Sequence, residues 1–276
     1  MPLKDWDIQI NYGIKTGCNE AFIIDGTTKD RLIAEDPKSA EIIRPILRGR
    51  DIKRYSYTFA DKWIIATFPS RHYDIDNYPA IKNWLTSATW SNEIPDGCGK
   101  FKLEQTGETY IINGAKIKAR KKTGNKWFET QDQIGYWDDF SKKKVVYPEI
   151  TKYLPFFIDD DRFYVNNKGF IMVAPHPYFL TAFLNSSLFK FCYIDSFPEP
   201  PLGGRELRKV FLEQIPVLQV SGEVEEKFEQ IVSEIQCLRL NANGTLELEM
   251  QLDQEIFTAY GLSELEKRAV GFIEIR

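Results

Sequence analysis

The sequence predicts an α+β fold: a mixed, largely antiparallel sheet with packed helices and a C-terminal helical hairpin. Asn113-Gly114 separates two strand-like runs, and Asn-Gly is the favoured two-residue turn of an antiparallel hairpin. Short apolar runs bounded by Gly, Pro and Asn recur between residues 21 and 173, as expected for several short strands. Two amphipathic helix patterns follow residue 220. We therefore expect one domain over residues 1–218 and a helical appendage over residues 219–276.

Residues 1–35 are predicted to be rich in strands, and a helix is predicted to follow them. Residues 21–25 form an apolar run that the turn at residues 26–28 ends. Asp36 can cap a helix and Pro37 suits its first turn, so a helix is predicted up to Gly49. Its apolar face would consist of Ile42, Ile43, Ile46 and Leu47. A buried strand over residues 62–68 and a short helix opening at Pro79 complete this part.

The second half is predicted to continue with strands and to end in helices. After the hairpin of residues 109–120, further strands are expected over residues 145–150, 155–158, 163–165 and 170–173, and a buried helix over residues 178–193. Ser221 opens an amphipathic helix, a second helix covers about residues 245–260, and Gly261 is its stop. Ser263 and Glu266 have the spacing of a capping box for a last short helix.

The composition is that of a globular protein that stays in a reducing compartment. The four cysteines are scattered without a Cys-x-x-Cys pair, which argues against a disulfide framework or a cysteine zinc site and favours the cytoplasm. His72 and His176 lack the spacing of metal ligands, so no metal site is predicted. The charged N-terminus does not resemble a signal peptide, and no apolar run reaches the length of a membrane span.

The net charge of −4 is unevenly distributed. Residues 1–150 hold 24 Lys and Arg against 21 Asp and Glu, whereas residues 221–276 hold 5 against 12. The strongest basic cluster, residues 100–126, has 8 basic and 2 acidic residues. Such a patch can bind phosphate whatever the net charge, but it could equally be a solvated hairpin.

Three groups of residues are candidates for contact with an anionic polymer. In the first, Lys15 and Thr16 lie in a glycine-bracketed loop with Asn19 close by, an arrangement that can bring N–H groups, a cation and a hydroxyl to a phosphate. The same residues could instead form only a tight turn into a core strand. In the second group, four basic residues could bind phosphate or read guanine, or be paired with Asp51 and Asp61. These four are Arg48, Arg50, Lys53 and Arg54.

The third group belongs to the hairpin. Alternation in its second strand would place Lys116, Lys118 and Arg120 on one face, with Ala115, Ile117 and Ala119 on the other. Three further lysines follow the strand: Lys121, Lys122 and Lys126.

Two motifs carry a resemblance to a known family. Residues 13–25 read GIKTGCNEAFIID and residues 43–55 read IRPILRGRDIKRY. Both resemble the C-terminal target-recognition part of TaqI-like type IIG restriction-modification enzymes, and shorter pieces along nearly the whole chain are also similar to it. Those pieces are YPAI at 78–81, KVV at 144–146, LNS at 184–186, IPV at 215–217 and LDQEIFTAYGL at 252–262. Residues 91–130 show no matching motif.

The resemblance implies that the chain recognises a sequence in double-stranded DNA through the three groups above. Its partner would be an adenine-specific methyltransferase, with or without a nuclease, in the same polypeptide or another subunit. S-adenosylmethionine and Mg²⁺ would serve that parent enzyme and not this chain. The Pro-Pro pair at residues 200–201 lacks the amide and the aromatic ring that hold an extruded adenine, so no catalytic residue is predicted.

The start of the resemblance at Trp6 suggests an excised fragment or a split subunit. A rival interpretation from another class is a protein-docking or structural module of a restriction or phage-defence complex. In that case the acidic helices bind a partner and the basic hairpin is incidental.

Overall fold

A computed structural model describes residues 1–160 and 163–275. Its strands, in chain order, are β1 (Gln9–Tyr12), β2 (Ile23–Asp25), β3 (Ile43–Leu47), β4 (Ile52–Lys53), β5 (Ser56–Tyr57), β6 (Lys62–Ile65), β7 (Thr109–Ile112), β8 (Ala115–Lys118), β9 (Lys144–Pro148), β10 (Ile150–Thr151), β11 (Phe157–Asp159), β12 (Tyr164–Val165), β13 (Gly169–Val173) and β14 (Arg205–Glu206).

The α-helices are α1 (Asn19–Phe22), α2 (Gly26–Glu35), α3 (Pro79–Ser87), α4 (Gly99–Leu103), α5 (Pro177–Asn185), α6 (Ser187–Tyr193), α7 (Lys209–Leu212), α8 (Gly222–Leu240), α9 (Leu246–Ala259) and α10 (Glu264–Val270). The chain divides into two compact units. Unit 1 comprises residues 1–13, 47–59 and 138–276, and unit 2 comprises residues 14–46 and 60–137.

Unit 1 is built on an antiparallel sheet in the order β1-β13-β9-β11. All five residues of β9 are buried, as expected for a central strand covered on both faces. Lys144 in this strand is fully buried and its Nζ lies 2.6 Å from Oδ2 of Asp159 in β11. The Lys-Val-Val motif is therefore a core strand that contains a buried ion pair.

Helices complete the core of unit 1. Phe179 and Phe183 of α5 stack with Tyr260, and Phe228 of α8 meets Phe179 edge to face. Asn185 is fully buried, its Nδ2 donates to the carbonyl of Phe156 at 2.8 Å, and its Oδ1 accepts from the Phe156 N–H at 3.3 Å. The C-terminal helices thus share one hydrophobic core with the sheet.

Unit 2 has its own core around strands in the order β3-β6-β2, which pair antiparallel. Helices α1 to α3 supply Phe22, Leu32, Ile81 and Leu85 to this core. The hairpin β7-β8 pairs Thr109 with Lys118 and Ile112 with Ala115. Its turn residues have positive φ, 51° at Asn113 and 79° at Gly114, the backbone for which Asn-Gly is favoured.

The predicted α+β class with largely antiparallel pairing is confirmed. The hairpin, the helix at Pro79, the strands between residues 62 and 173 and the helices after residue 220 are all present. Ser263 and Glu266 form the expected capping box. The boundary at residue 218 stays a prediction, since the compact units follow tertiary contacts and not that position.

Four local predictions were wrong. Residues 37–41 form a 3-10 helix and Ile43–Leu47 is a strand, because pairing with β6 overrides the helical spacing of the isoleucines. Residues 1–35 are not rich in strands, because Asn19–Phe22 and Gly26–Glu35 form helices α1 and α2, and Gly26 begins α2, capped by Asp25, instead of a turn. The helix expected over residues 178–193 is divided at Ser186, whose extended backbone ends α5 and whose hydroxyl caps α6.

Candidate nucleic-acid interface

The first glycines of the two sequence motifs pack against one turn of unit 1. A side chain at Gly13 would lie 2.0 Å from the carbonyl oxygen of Asn166, and one at Gly49 would lie 2.4 Å from that of Lys168. The Gly49 N–H also donates to Oδ1 of Asn166 at 3.3 Å. Only glycine allows the backbone to approach this closely, so both positions have a structural role.

In the loop after Gly13, the cation of Lys15 and the amide of Asn19 are exposed to solvent, whereas the hydroxyl of Thr16 is buried. Thr16 is fully buried, its Oγ1 donates to Oδ1 of Asn19 at 2.8 Å and accepts from the Cys18 N–H at 3.2 Å. Lys15 and Asn19 are exposed. The Lys15 carbonyl accepts from the Gln131 N–H at 3.1 Å, which fixes the backbone that carries the lysine. The loop is thus a tight turn into the core that leaves Lys15 accessible.

Arg120 is buried and holds three segments of unit 2 together. Its Nε and Nη2 donate to the Leu103 carbonyl at 2.9 and 2.7 Å, Nη1 to Thr16 at 2.7 Å, and Nη2 to Trp127 at 2.7 Å. The guanidinium also lies 5.1 Å from the ring of Phe22. Burial lowers the pKa of Arg120 to about 10. Alternation along the strand predicted that Arg120 is exposed together with Lys116 and Lys118. Its side chain is instead buried inside the protein, and this burial favours a structural role.

The hairpin presents its lysines to solvent as predicted. Lys116 and Lys118 are exposed, whereas Ile117 between them is buried. Lys118 Nζ donates to the Gly107 carbonyl at 2.7 Å. Lys121, Lys122 and Lys126 continue the exposed set. Most of the basic cluster is therefore accessible to a polyanion.

The segment after the hairpin is fixed by a residue that sequence reasoning missed. Gln105 is 4% exposed, and its Nε2 donates to the carbonyls of Lys126 and Glu129 at 3.0 and 3.1 Å. Its Oε1 accepts from Oγ1 of Thr123 at 2.8 Å. A buried glutamine that bonds backbone so far along the chain has no signature in the sequence. It positions the loop that carries Lys126.

The four basic residues of the second group divide into two paired ones, Arg48 and Arg54, and two exposed ones, Arg50 and Lys53. Arg48 donates through Nε and Nη2 to both oxygens of Asp51 at 2.8 Å, and this bond raises the pKa of Arg48. Lys53 is exposed and its Nζ donates to the Arg50 carbonyl at 2.9 Å. Arg50 is exposed and its side chain makes no polar contact with residues 1–160 or 163–275. Among the arginines of this group, Arg50 is therefore the one most available to a ligand.

Arg54 belongs to a buried ionic network. Its Nε and Nη2 donate to Oε2 of Glu249 at 3.0 and 2.7 Å, and its Nη1 donates to the Asn185 carbonyl at 2.6 Å. Glu249 also accepts from Arg239 and from Thr245, both at 2.6 Å. Burial alone would raise the pKa of Glu249, but Arg54, Thr245 and Arg239 together lower it. Glu249 was not singled out from sequence, because its partner stands 195 positions away.

The predicted residues therefore fall into two groups in different units. Lys15, Thr16 and Asn19 belong to unit 2 together with the hairpin residues, and Arg48, Arg50, Lys53 and Arg54 belong to unit 1. Within the described ranges, no cluster of His, Cys, Asp and Glu could hold a metal ion. None of the helices in those ranges is long and apolar enough to cross a bilayer.

Several known proteins are similar to this chain in sequence or in fold. The type II methyltransferase M.MjaIV of Methanocaldococcus jannaschii is 25% identical over 267 residues, which cover 91% of this chain and 78% of the relative. The type IIL restriction-modification enzyme MmeI, solved in complex with DNA, superposes with a TM-score of 0.62 at 13% identity, over 98% of this chain and 35% of that enzyme. The type IIG restriction endonuclease BpuSI aligns with a TM-score of 0.47 at 13% identity, over 95% of this chain and 31% of that chain. The chain spans about a third of the length of these two solved enzymes.

Part of this chain also matches a known protein family. The match covers residues 96–217, which include the whole basic cluster of residues 100–126 and most of the segment of residues 91–130 where no motif was recognised. The Lys-Val-Val, Leu-Asn-Ser and Ile-Pro-Val pieces lie within it, whereas the motifs of residues 13–25 and 43–55 precede it. Residues 96–217 match the family of TaqI-like C-terminal specificity domains, and this match confirms the resemblance found in the sequence.

Proposed function

We propose that the chain selects the DNA sequence on which a restriction-modification enzyme acts. The observation that carries this proposal is the specificity-domain match over residues 96–217. The exposed lysines of that domain support it, because cations that face solvent can neutralise phosphates and release counterions. The chain works in this proposal with a methyltransferase part in the same polypeptide or in another subunit, and that part binds S-adenosylmethionine. Cleavage with Mg²⁺, where it occurs, also belongs to the parent enzyme.

We assign phosphate contact to the lysines and base reading to Arg50. Lys15, Lys116 and Lys118 are exposed to solvent, as are Lys121, Lys122 and Lys126. Lys53 beside Arg50 is a further phosphate contact, and the amide of Asn19 can bond a phosphate oxygen. Thr16, Arg48, Arg54 and Arg120 hold these groups in place through the internal bonds described above. Residues 1–218 are the recognition domain in this assignment, and residues 219–276 are its appendage.

Binding of random duplex DNA at two salt concentrations tests the proposal. The wild-type chain should bind weakly, and its affinity should fall steeply between about 50 and about 200 mM salt, since counterions are released on binding. The double variant Lys116→Ala/Lys118→Ala should lower the slope of log K against log salt by about two, because each lost phosphate contact lowers it by about one.

A matched control removes the same charge from the appendage. Lys227→Ala/Lys267→Ala takes two lysines from α8 and α10, and should leave the slope unchanged. Absence of binding at about 50 mM salt would count against a DNA-contacting surface and favour the docking-module interpretation. Equal losses in both double variants would show only a response to net charge.

A further inference from the structure

A groove in unit 1 lies where α8 leads into α9. It has a volume of about 590 Å³, within the range of about 300–1,000 Å³ of typical binding clefts. Leu238 at the end of α8 and Leu246 and Leu248 at the start of α9 line it with apolar surface. Glu234 and Glu247 stand among its lining residues, one on each helix.

The apolar surface of this groove is unusually open to solvent. Leu246, which lines the groove, is 51% exposed, and Met250, four positions further along α9 and so on the same helix face, is 46% exposed. Grouped exposed apolar side chains mark interaction sites more often than isolated ones do. Leu248, in contrast, packs partly against the core of unit 1, so the groove continues the hydrophobic core outward.

The floor of the groove is held in shape by the buried network. Thr245 is 3% exposed, and its Oγ1 donates to Oε1 of Glu249 at 2.6 Å. Glu249 is in turn held by Arg54 and Arg239. A cleft that is already ordered costs a ligand little conformational entropy to occupy.

The charge around the groove selects the occupant. Glu234 and Glu247 are exposed, and neither makes an ion pair with residues 1–160 or 163–275. Residues 221–276 as a whole hold 12 acidic against 5 basic residues. A second copy of the same groove would bring like charges together, whereas Lys and Arg beside an apolar stripe would complement both features.

We propose that this groove docks an amphipathic helix of another protein, with an apolar stripe flanked by Lys and Arg. Such a helix places apolar residues at i, i+3 or i+4, and i+7 into a groove of this kind. The proposal rests on the geometry of α8 and α9 and does not depend on the DNA-recognition role.

A labelled synthetic peptide tests the proposal by fluorescence anisotropy. The probe is a helix of about 18 residues of Leu and Lys, with the leucines on one stripe, long enough to be helical in water. A peptide with Glu in place of Lys is the matched probe and should not bind. The variant Leu246→Ser should weaken binding about tenfold or more, as expected for losing a buried leucine contact. Glu234→Gln/Glu247→Gln should weaken it about fivefold and reduce its salt dependence.

Two controls keep the result specific. Leu265→Ser removes a leucine that is 80% exposed on α10, and Glu223→Gln/Glu226→Gln removes two exposed carboxylates from the start of α8. Both should bind the probe like the wild type. Equal weakening in the control variants, or no binding of the Leu and Lys probe, would overturn the proposal. A dimer in sedimentation that Leu246→Ser abolishes would overturn it in favour of a second copy.

Discussion

Three of the four arginines predicted to contact DNA have internal partners, whereas all seven of the predicted lysines face solvent. Arg54 and Arg120 donate to buried carbonyls or carboxylates, and Arg48 holds Asp51 with two bonds, whereas Lys116 and Lys122 face solvent. The planar guanidinium has five donors in a fixed fork and suits a site with several acceptors, while the ammonium of lysine is more strongly hydrated. A basic residue in a DNA-binding sequence is therefore not by itself a DNA contact.

Arg120 gives the clearest prediction at this scale. Arg120→Met should lower the free energy of unfolding by about 2–4 kcal/mol, because the carbonyls of Thr16, Leu103 and Trp127 lose their donors inside the protein. Arg120→Lys should recover part of this loss, since one ammonium can reach only some of these acceptors. Urea unfolding measures both.

The comparison for this prediction is Lys121→Met, which changes the neighbouring exposed residue in the same way. It should stay within about 0.5 kcal/mol of the wild type, as surface substitutions usually do. An Arg120→Met chain as stable as Lys121→Met would show that the buried donors contribute nothing measurable.

At the scale of elements, local signals succeeded where local chemistry decides the structure. The Asn113-Gly114 turn and the Ser263 capping box need only neighbours in sequence, and both are present. Ile43–Leu47 was predicted as a helix because its isoleucines also fit helical spacing, whereas in the structure its pairing with β6 makes it a strand. The same holds for the candidate site. Alternation along the strand predicts that Lys116 and Lys118 are exposed. The burial of Arg120 depends instead on bonds to Leu103, which is 17 positions away, and to Thr16, which is 104 positions away.

The break between α5 and α6 predicts an effect of Ser186. Its Oγ accepts from the Phe189 N–H at 3.1 Å and donates to the Phe183 carbonyl at 2.6 Å, so it serves both helix ends. Ser186→Ala should lower stability by about 1–2 kcal/mol, the usual cost of losing an N-cap. Ser221 precedes α8 without a cap hydrogen bond to any described residue, so Ser221→Ala should cost less than about 0.5 kcal/mol. Equal losses in thermal unfolding would contradict the capping role.

At the scale of the whole molecule, the net charge hides the charge distribution. Unit 2 holds 16 Lys and Arg against 15 Asp and Glu, and unit 1 holds 20 against 25, so the excess of acid belongs to unit 1. The units are also discontinuous in sequence, because residues 47–59 return to unit 1 between two segments of unit 2. Composition along the chain could not predict that division, since it follows from tertiary contacts. The two candidate groups therefore need a test that treats them separately.

The last prediction separates sequence reading from phosphate binding in the assembled enzyme, with this chain joined to its methyltransferase part. Arg50→Ala should relax the choice at one base pair and cost roughly 1–3 kcal/mol, if its free fork reads guanine. Arg50→Lys should relax it equally, because an ammonium keeps the charge but loses the bidentate geometry. Lys122→Ala should weaken binding to all sequences alike, and sequencing of methylated sites distinguishes these outcomes. Since Arg50→Lys preserves charge, an unchanged site with this variant would assign Arg50 to phosphate binding and leave base reading to other residues.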